Sequence, residues 1–193
     1  MPDPRFDPSK SVTFDLVHGL VHLEGAPSRL LVPADALAAL VGAAGADAAA
    51  VFGRSLGDAM GRRVAGRLAG GVSAAPVEAV VEHLGGELAL AGLGSLAIER
   101  WGRALVLVLD QSPLGAGGDA LLEAVLAAAI EAAAGRRVRA VRLGRDGVRA
   151  RFFVGGDTGA GKLKAWLAEG VAWGEALVRL HAPPDAHSDR GDA

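Results

Sequence analysis

Two periods organise the apolar residues of this chain, one close to two and one close to three and a half. The short period opens it: Val12 to Val17 and Leu20 to Leu23 read as strands around Gly19. Glu24 to Ser28 then turns into a third expected strand, Arg29 to Val32, and Pro33 suits the first position of a helix over Asp35 to Ala43. The helical period takes over from Ala46 to Ala69, where Phe52, Leu56, Met60, Val64 and Leu68 form an apolar stripe. Ser73 is the expected N-cap of a further helix. That helix buries Val77, Val80, Val81, Leu84 and Leu88 and turns Glu78, Glu82 and Glu87 to water.

The second half alternates hairpins with helices. Ser95 to Arg100 and Ala104 to Leu109 pair across a Trp101-Gly102-Arg103 turn, and the unbroken apolar run of the second strand predicts a central position covered on both faces. Asp119 is the expected cap of a helix that points Leu122, Val125, Leu126, Ala129 and Ile130 inward and stops at Gly135. Val138 to Leu143 and Val148 to Val154 form a second hairpin, turning at Asp146-Gly147. A last helix over about residues 161–181 gathers Leu163, Trp166, Leu167, Trp173, Leu177 and Leu180 on one side. The order from 46 to 154, α-α-β-β-α-β-β, specifies an α+β fold: an antiparallel sheet built from hairpins with helices packed on it. Residues 11–181 are expected to form one domain, with 161–181 as a possible docking element. Residues 1–10, rich in Pro and Asp, read as a flexible lead-in, and 182–193 as a disordered tail.

One feature of the long helix costs stability. Gly53, Gly57 and Gly61 recur every four residues, and each costs a helix interior roughly 1 kcal/mol relative to Ala. They share one helical stripe on which no Cβ holds a neighbour away. The seam admits either a helix of this chain or one from a second copy, so Gly53, Gly57 and Gly61 are candidate interface residues, with Trp166 and Trp173 of the last helix.

Composition narrows the chemistry. The chain has 193 residues, 51% of them hydrophobic but only 4% aromatic, so Leu, Val and Ala must carry the packing. A net charge of −2 argues against a nucleic-acid partner. Without cysteine there is no disulfide, thiolate metal site or cysteine nucleophile. The opening Met-Pro-Asp-Pro carries no apolar leader, and charge or Gly interrupts the apolar runs, so a cytoplasmic protein without a membrane span is expected.

Gly156-Asp157-Thr158-Gly159-Ala160-Gly161-Lys162 lies between a strand and a helix, as a phosphate-binding loop does. Leu163 occupies the position where such loops place a Mg²⁺-binding Ser or Thr, and the neighbouring strands form an antiparallel hairpin, which favours a simple glycine-rich turn. His18 and His22 on one strand would stand about 13 Å apart, too far to share a metal. His83 has no evident carboxylate or Ser partner, and Ser55 and Ser112 lack a nucleophile-elbow setting. Asp110 is expected to cap the turn after its strand. Arg136, Arg137, Arg139, Arg142, Arg145, Arg149 and Arg151 make the second hairpin basic, without aromatics to stack bases, and read as an exposed face balanced by acidic helices. No catalytic residue, metal site or cofactor emerges.

Three segments carry a family resemblance: Phe52-Gly53-Arg54-Ser55-Leu56-Gly57, Leu109-Asp110-Gln111-Ser112-Pro113-Leu114, and Gly147-Val148-Arg149-Ala150-Arg151-Phe152. Over about residues 12–154 the pattern resembles the vinyl-reductase-type, hydrocarbon- or small-ligand-binding domains, related in fold to subunits of the TRAPP tethering complex. The resemblance implies a non-enzymatic small-ligand-binding or sensory module, commonly homodimeric, with Phe52, Met60 and Trp101 as candidate lining residues for an apolar ligand. Many such domains carry cysteines near the last hairpin, some implicated in metal binding; arginines and phenylalanines stand there in this chain. The alternatives are a protein-interaction adaptor of the same fold and, more remotely, a nucleotide-binding enzyme using the Gly156 to Lys162 loop.

Overall fold

A computed structural model describes residues 11–23, 28–68, 76–102 and 104–181. The elements run β1 (Val12–Asp15), β2 (Leu20–Leu23), α1 (Ala34–Arg67), α2 (Val77–Leu90), β3 (Ser95–Trp101), β4 (Ala104–Asp110), α3 (Asp119–Ala134), β5 (Arg139–Asp146), β6 (Arg149–Gly155), α4 (Asp157–Ala168) and α5 (Trp173–His181). The expected α+β order is present from α1 to β6. The expected N-cap Ser73, Arg103 of the hairpin turn, most of the turn at Glu24 to Ser28, the lead-in 1–10 and the tail 182–193 lie outside the described residues.

The main sheet is antiparallel, in the order β3-β4-β6-β5. Helices cover both faces. Leu107 and Leu109 of β4, with Ala150 and Phe152 of β6, meet α1, α2 and α3 in one core; Ala104, Val106 and Phe153 face α4 and α5 in a second. That double burial explains why β4 carries no alternation.

The glycine seam belongs to one chain. Gly53, Gly57 and Gly61 are buried, and α3 lies directly on them. A Cβ on Gly53 would stand 2.6 Å from the Leu121 carbonyl oxygen, one on Gly57 2.9 Å from the Val125 Cα, and one on Gly61 2.7 Å from the Ala132 Cβ. Leu121, Val125 and Ala129 are also spaced by four and meet the glycines in ascending order, so the two helices run parallel with matched ridges. The chain's own α3 fills the seam that the sequence left open to a second copy.

Several expectations need correction. Arg29 to Val32 forms no strand; a single bridge joins Val21 to Arg29. The two helices expected over 35–43 and 46–69 run as one element, broken at Gly45 by a backbone of φ 82° and ψ 170°. Among the described residues α1 is long and hydropathic enough to cross a bilayer by length and composition alone, with an 18-residue stretch of mean hydropathy 1.7, where no membrane span was expected. Asp119 is the first residue of α3 and makes no cap bond. Instead it takes ion pairs from Arg145 and, at 3.4 Å, from Arg142. Those arginines lie three apart, on opposite faces of a regular strand; an extra residue in β5 between Arg142 and Gly144 brings them to one side. The final helix is two helices: Gly170, at φ 85°, ends the first, and α5 folds back from Trp173.

Glu87, expected in water, is only 1% exposed. Its Oε2 accepts from Arg63 Nε at 2.8 Å and from Arg63 Nη2, and its Oε1 accepts from Arg67 Nη1 at 2.5 Å. Helical periodicity put Glu87 beside Leu84 and Leu88 on the buried arc; the arginines of α1 are what make burial tolerable.

Gly57→Ala improves helix propensity yet forces a methyl into Val125. It should lower the melting temperature by about 2–10 °C, the range of an overpacked core of this size. Gly66→Ala, on an exposed stretch of α1 with open space around it, should raise it by a few degrees. Thermal denaturation of the two variants compares them directly.

Candidate functional site

The residues singled out for ligand lining do not converge. Phe52 is 46% exposed on the outer side of α1, whereas Met60 is 1% exposed inside the main core. Trp101 ends β3 beside the C-terminal helices, 44% exposed. Its ring meets Trp173 edge to face at 4.6 Å, and the Arg151 guanidinium lies 5.8 Å from the centre of Trp173. Trp166 and Trp173 both pack on the second core, so α4 and α5 dock on this chain's own sheet.

The Gly156 to Lys162 segment is not a loop. Helix α4 starts at Asp157, and Lys162 lies exposed inside it. From Ala160 onward, whose N–H donates to the Gly156 carbonyl at 3.0 Å, the backbone N–H groups are spent within the helix, and the segment does not wrap a phosphate as a glycine-rich loop does. The single turn at Gly156 needs no ligand to explain it.

Other candidates are also accounted for. The His18 ring bonds Asp15 at 2.8 Å within the β1–β2 turn. The Ser55 hydroxyl donates to the Val51 carbonyl. His83 is buried on α2, and the Ser112 hydroxyl is buried without a hydrogen-bond partner among the described residues. Asp110 does bond the backbone N–H of Gln111, at 2.9 Å, and so caps its turn as expected. Among the described residues no group of three or more His, Asp or Glu is placed to hold a metal ion.

The second hairpin's arginines are matched to acids. Arg139 pairs with Asp157, Arg149 with Asp110 and Arg151 with Glu99. The bond from Arg151 holds the Glu99 carboxyl below its ordinary pKa, and Arg149 and Arg139 do the same for Asp110 and Asp157. These pairs neutralise Arg139, Arg149 and Arg151 within the strip.

What the fold does create is a cleft of about 730 Å³ along the free edge of the sheet, where β5 runs between α3 and α4. Methyl groups make its floor: Ala50 from α1, Ala120, Ala124, Ala127 and Ala128 from α3, Ala140 from β5, and Ala160 and Ala168 from α4. Val138, Val141 and Leu167 extend the apolar lining, and seven charged residues, Arg54, Glu123, Glu131, Arg139, Arg142, Asp157 and Lys164, border it. Glu123 also closes part of the strand edge, its Oε1 accepting the Arg142 backbone N–H at 2.6 Å. An edge N–H satisfied in this way is no longer a template for another strand.

The chain shares its fold with a sensory domain. A crystal structure of the phenol-responsive sensory domain of the transcription activator PoxR, with phenol, is similar at a TM-score of 0.59 and 17% identity. The likeness covers 91% of this chain and 94% of that one. No family model matches the chain, and no curated protein matches it.

None of the cleft was anticipated from sequence. Its one legible trace is the small-residue stripe Ala120, Ala124, Ala127, Ala128 on the side of α3 away from Leu122 and Leu126. Alanine is so common in helices that such a stripe gives no hint of the wall opposite.

The depressed carboxyls fix a pH dependence. A carboxyl whose folded pKa lies below its unfolded value stabilises fully above the unfolded value, near 4, and loses that stabilisation as pH falls through the folded one. Melting temperature should hold from pH 7 to about 5 and fall below about 4. In Glu99→Gln the acid limb should be shallower than in the parent protein, read from melting curves across that range.

Proposed function

We propose that this chain is a non-enzymatic sensory module that takes a small, mainly apolar ligand into the cleft between α3 and α4. The observation that carries the reading is the cleft's construction: alanine methyls around a space large enough for a small organic molecule, with seven charged side chains at its border to orient a polar group of the guest. The resemblance of three sequence segments to vinyl-reductase-type domains supports the same reading. So does the shared fold with a domain that responds to phenol. The proposal moves the lining from Phe52, Met60 and Trp101 to the alanines of α3 and α4.

Native mass spectrometry of the protein, before and after denaturing extraction, should reveal a co-purified small molecule. Phenol and simple alkylbenzenes serve as probes if it is empty. Ala127→Trp fills the floor of the cleft from a half-buried position. It should abolish ligand-induced thermal stabilisation while moving the unliganded melting temperature by only a few degrees. A parent protein that neither carries nor is stabilised by any such ligand would sink the sensory reading.

The module is proposed to act as a homodimer in the cytoplasm, through a surface other than the glycine seam. Phe14, Leu16 and Val17 of the first hairpin, then Leu30, Leu31 and Val32, stand exposed, Leu16 and Leu30 at 88%. Only 17% of the apolar stretch in α1 is buried. Large apolar side chains left exposed in this number point to an interface, and burial against a second copy accounts for the hydropathy of α1 without a bilayer. Light scattering after size exclusion should give a dimer that Leu31→Glu converts to monomer. A monomeric parent that binds a different protein through this surface would instead favour the adaptor reading.

A further inference from the structure

The alanine cleft is bordered by four cations and three carboxylates, which leaves one positive charge in excess. Two of the cations already have partners: Arg139 pairs with Asp157 at 2.6 Å, and Arg142 reaches Asp119 at 3.4 Å. Asp119 also takes Arg145, so adding these two neighbours leaves the excess at one. Glu123 spends an oxygen on the Arg142 backbone N–H. There remain Arg54 of α1 and Lys164 of α4, in no ion pair or hydrogen bond among the described residues, against one carboxylate in the same condition, Glu131 of α3.

Their own helices offer these two cations no counter-charge. The residues three and four away from Lys164 are Ala160, Gly161, Leu167 and Ala168. The one acid at that spacing from Arg54 is Asp58, and Arg62 holds it. Packing also fixes where both side chains start. Arg54 follows Gly53, where a Cβ would meet the Ala124 methyl at 2.9 Å, and Ala124 is part of the cleft floor. Lys164 follows Leu163, which is wholly buried in the second core. An apolar hollow with two rooted, unmatched cations at its border suits a guest with an apolar body and one anionic group.

We propose that the guest of the cleft is a small monoanionic acid, an aromatic or short aliphatic carboxylate. Its apolar body rests on the alanine methyls, and Arg54 and Lys164 take its carboxylate. The planar fork of Arg54 matches two carboxylate oxygens, and Lys164 adds a compact charge. Glu131 opposes a second negative group on the guest. The assignment rests on the sensory reading and names the ligand class for the same site.

Benzoate, benzamide and benzamidine are near-isosteric and carry a negative, no and a positive charge, so calorimetric titration of the full chain with each isolates the charge. Benzoate should bind about tenfold more tightly than benzamide, the effect of a charge-assisted contact, with benzamidine the weakest of the three. Arg54→Gln and Lys164→Gln should each weaken benzoate about three- to tenfold and leave benzamide unchanged. Lys162→Gln, on the same helix but outside the cleft lining, should change neither. Benzamide as tight as benzoate, an equal loss in Lys162→Gln, or no loss in either cleft variant would overturn the carboxylate assignment and leave the sensory reading standing. So would silence from benzoate where phenol or an alkylbenzene binds. Silence from every one of these compounds would remove both.

Discussion

The contact between α1 and α3 at Gly53, Gly57 and Gly61 is what the rest of the architecture depends on. With no side chain on one partner, the Leu121, Val125 and Ala129 carbonyls of the other reach the helix surface itself. Dispersion weakens steeply with separation, so this closeness offsets the helix propensity lost to the glycines. It also fixes direction. Because Gly53, Gly57 and Gly61 meet Leu121, Val125 and Ala129 in ascending order, α3 runs parallel to α1 and in one register, which places Leu121, Leu122, Val125 and Leu126 in the same core as Met60 and Val64.

From that registration the cleft follows. Pinning one side of α3 to α1 and to the sheet leaves its alanine side pointing past the β5 edge, where α4 supplies the facing wall. The charges arrange themselves around this frame. Asp119 at the start of α3 takes two arginines from the bulged edge strand, and Glu123 one turn later takes a backbone N–H of the same strand. Side chains that hold α3 to β5 therefore also frame the mouth of the site.

A second set of charges lies on the other side of α1. Glu87 draws Arg63 and Arg67 inward and ties α2 to the end of α1. Along the hairpin, by contrast, Asp157, Asp110 and Glu99 each take one arginine at the surface, Arg139, Arg149 and Arg151. The two arrangements look alike in sequence, as Arg and Glu scattered over amphipathic helices and strands. They differ in desolvation, since a surface pair contributes at most about 1 kcal/mol, while breaking a buried one costs several.

Local order was written in the sequence. Period, turn residues and the unbroken run of β4 determine both hairpins, the α3 helix with its stop at Gly135, and the coverage of β4 on both faces. The break at Gly170 leaves no trace in the apolar pattern because Trp166, Leu167 and Trp173 keep to one side across it, and Arg29 to Val32 reads as a strand because its short apolar run suits one, yet it finds no partner beyond the bridge at Arg29. What only tertiary structure decided is which surface meets which. The four-residue glycine spacing announces a close approach but not its partner, and Glu87 looks solvated until two arginines 20 and 24 residues away converge on it. Period is a property of neighbours along the chain. A cleft, a buried charge and a filled seam are properties of residues brought together across it, and no local rule carries that information.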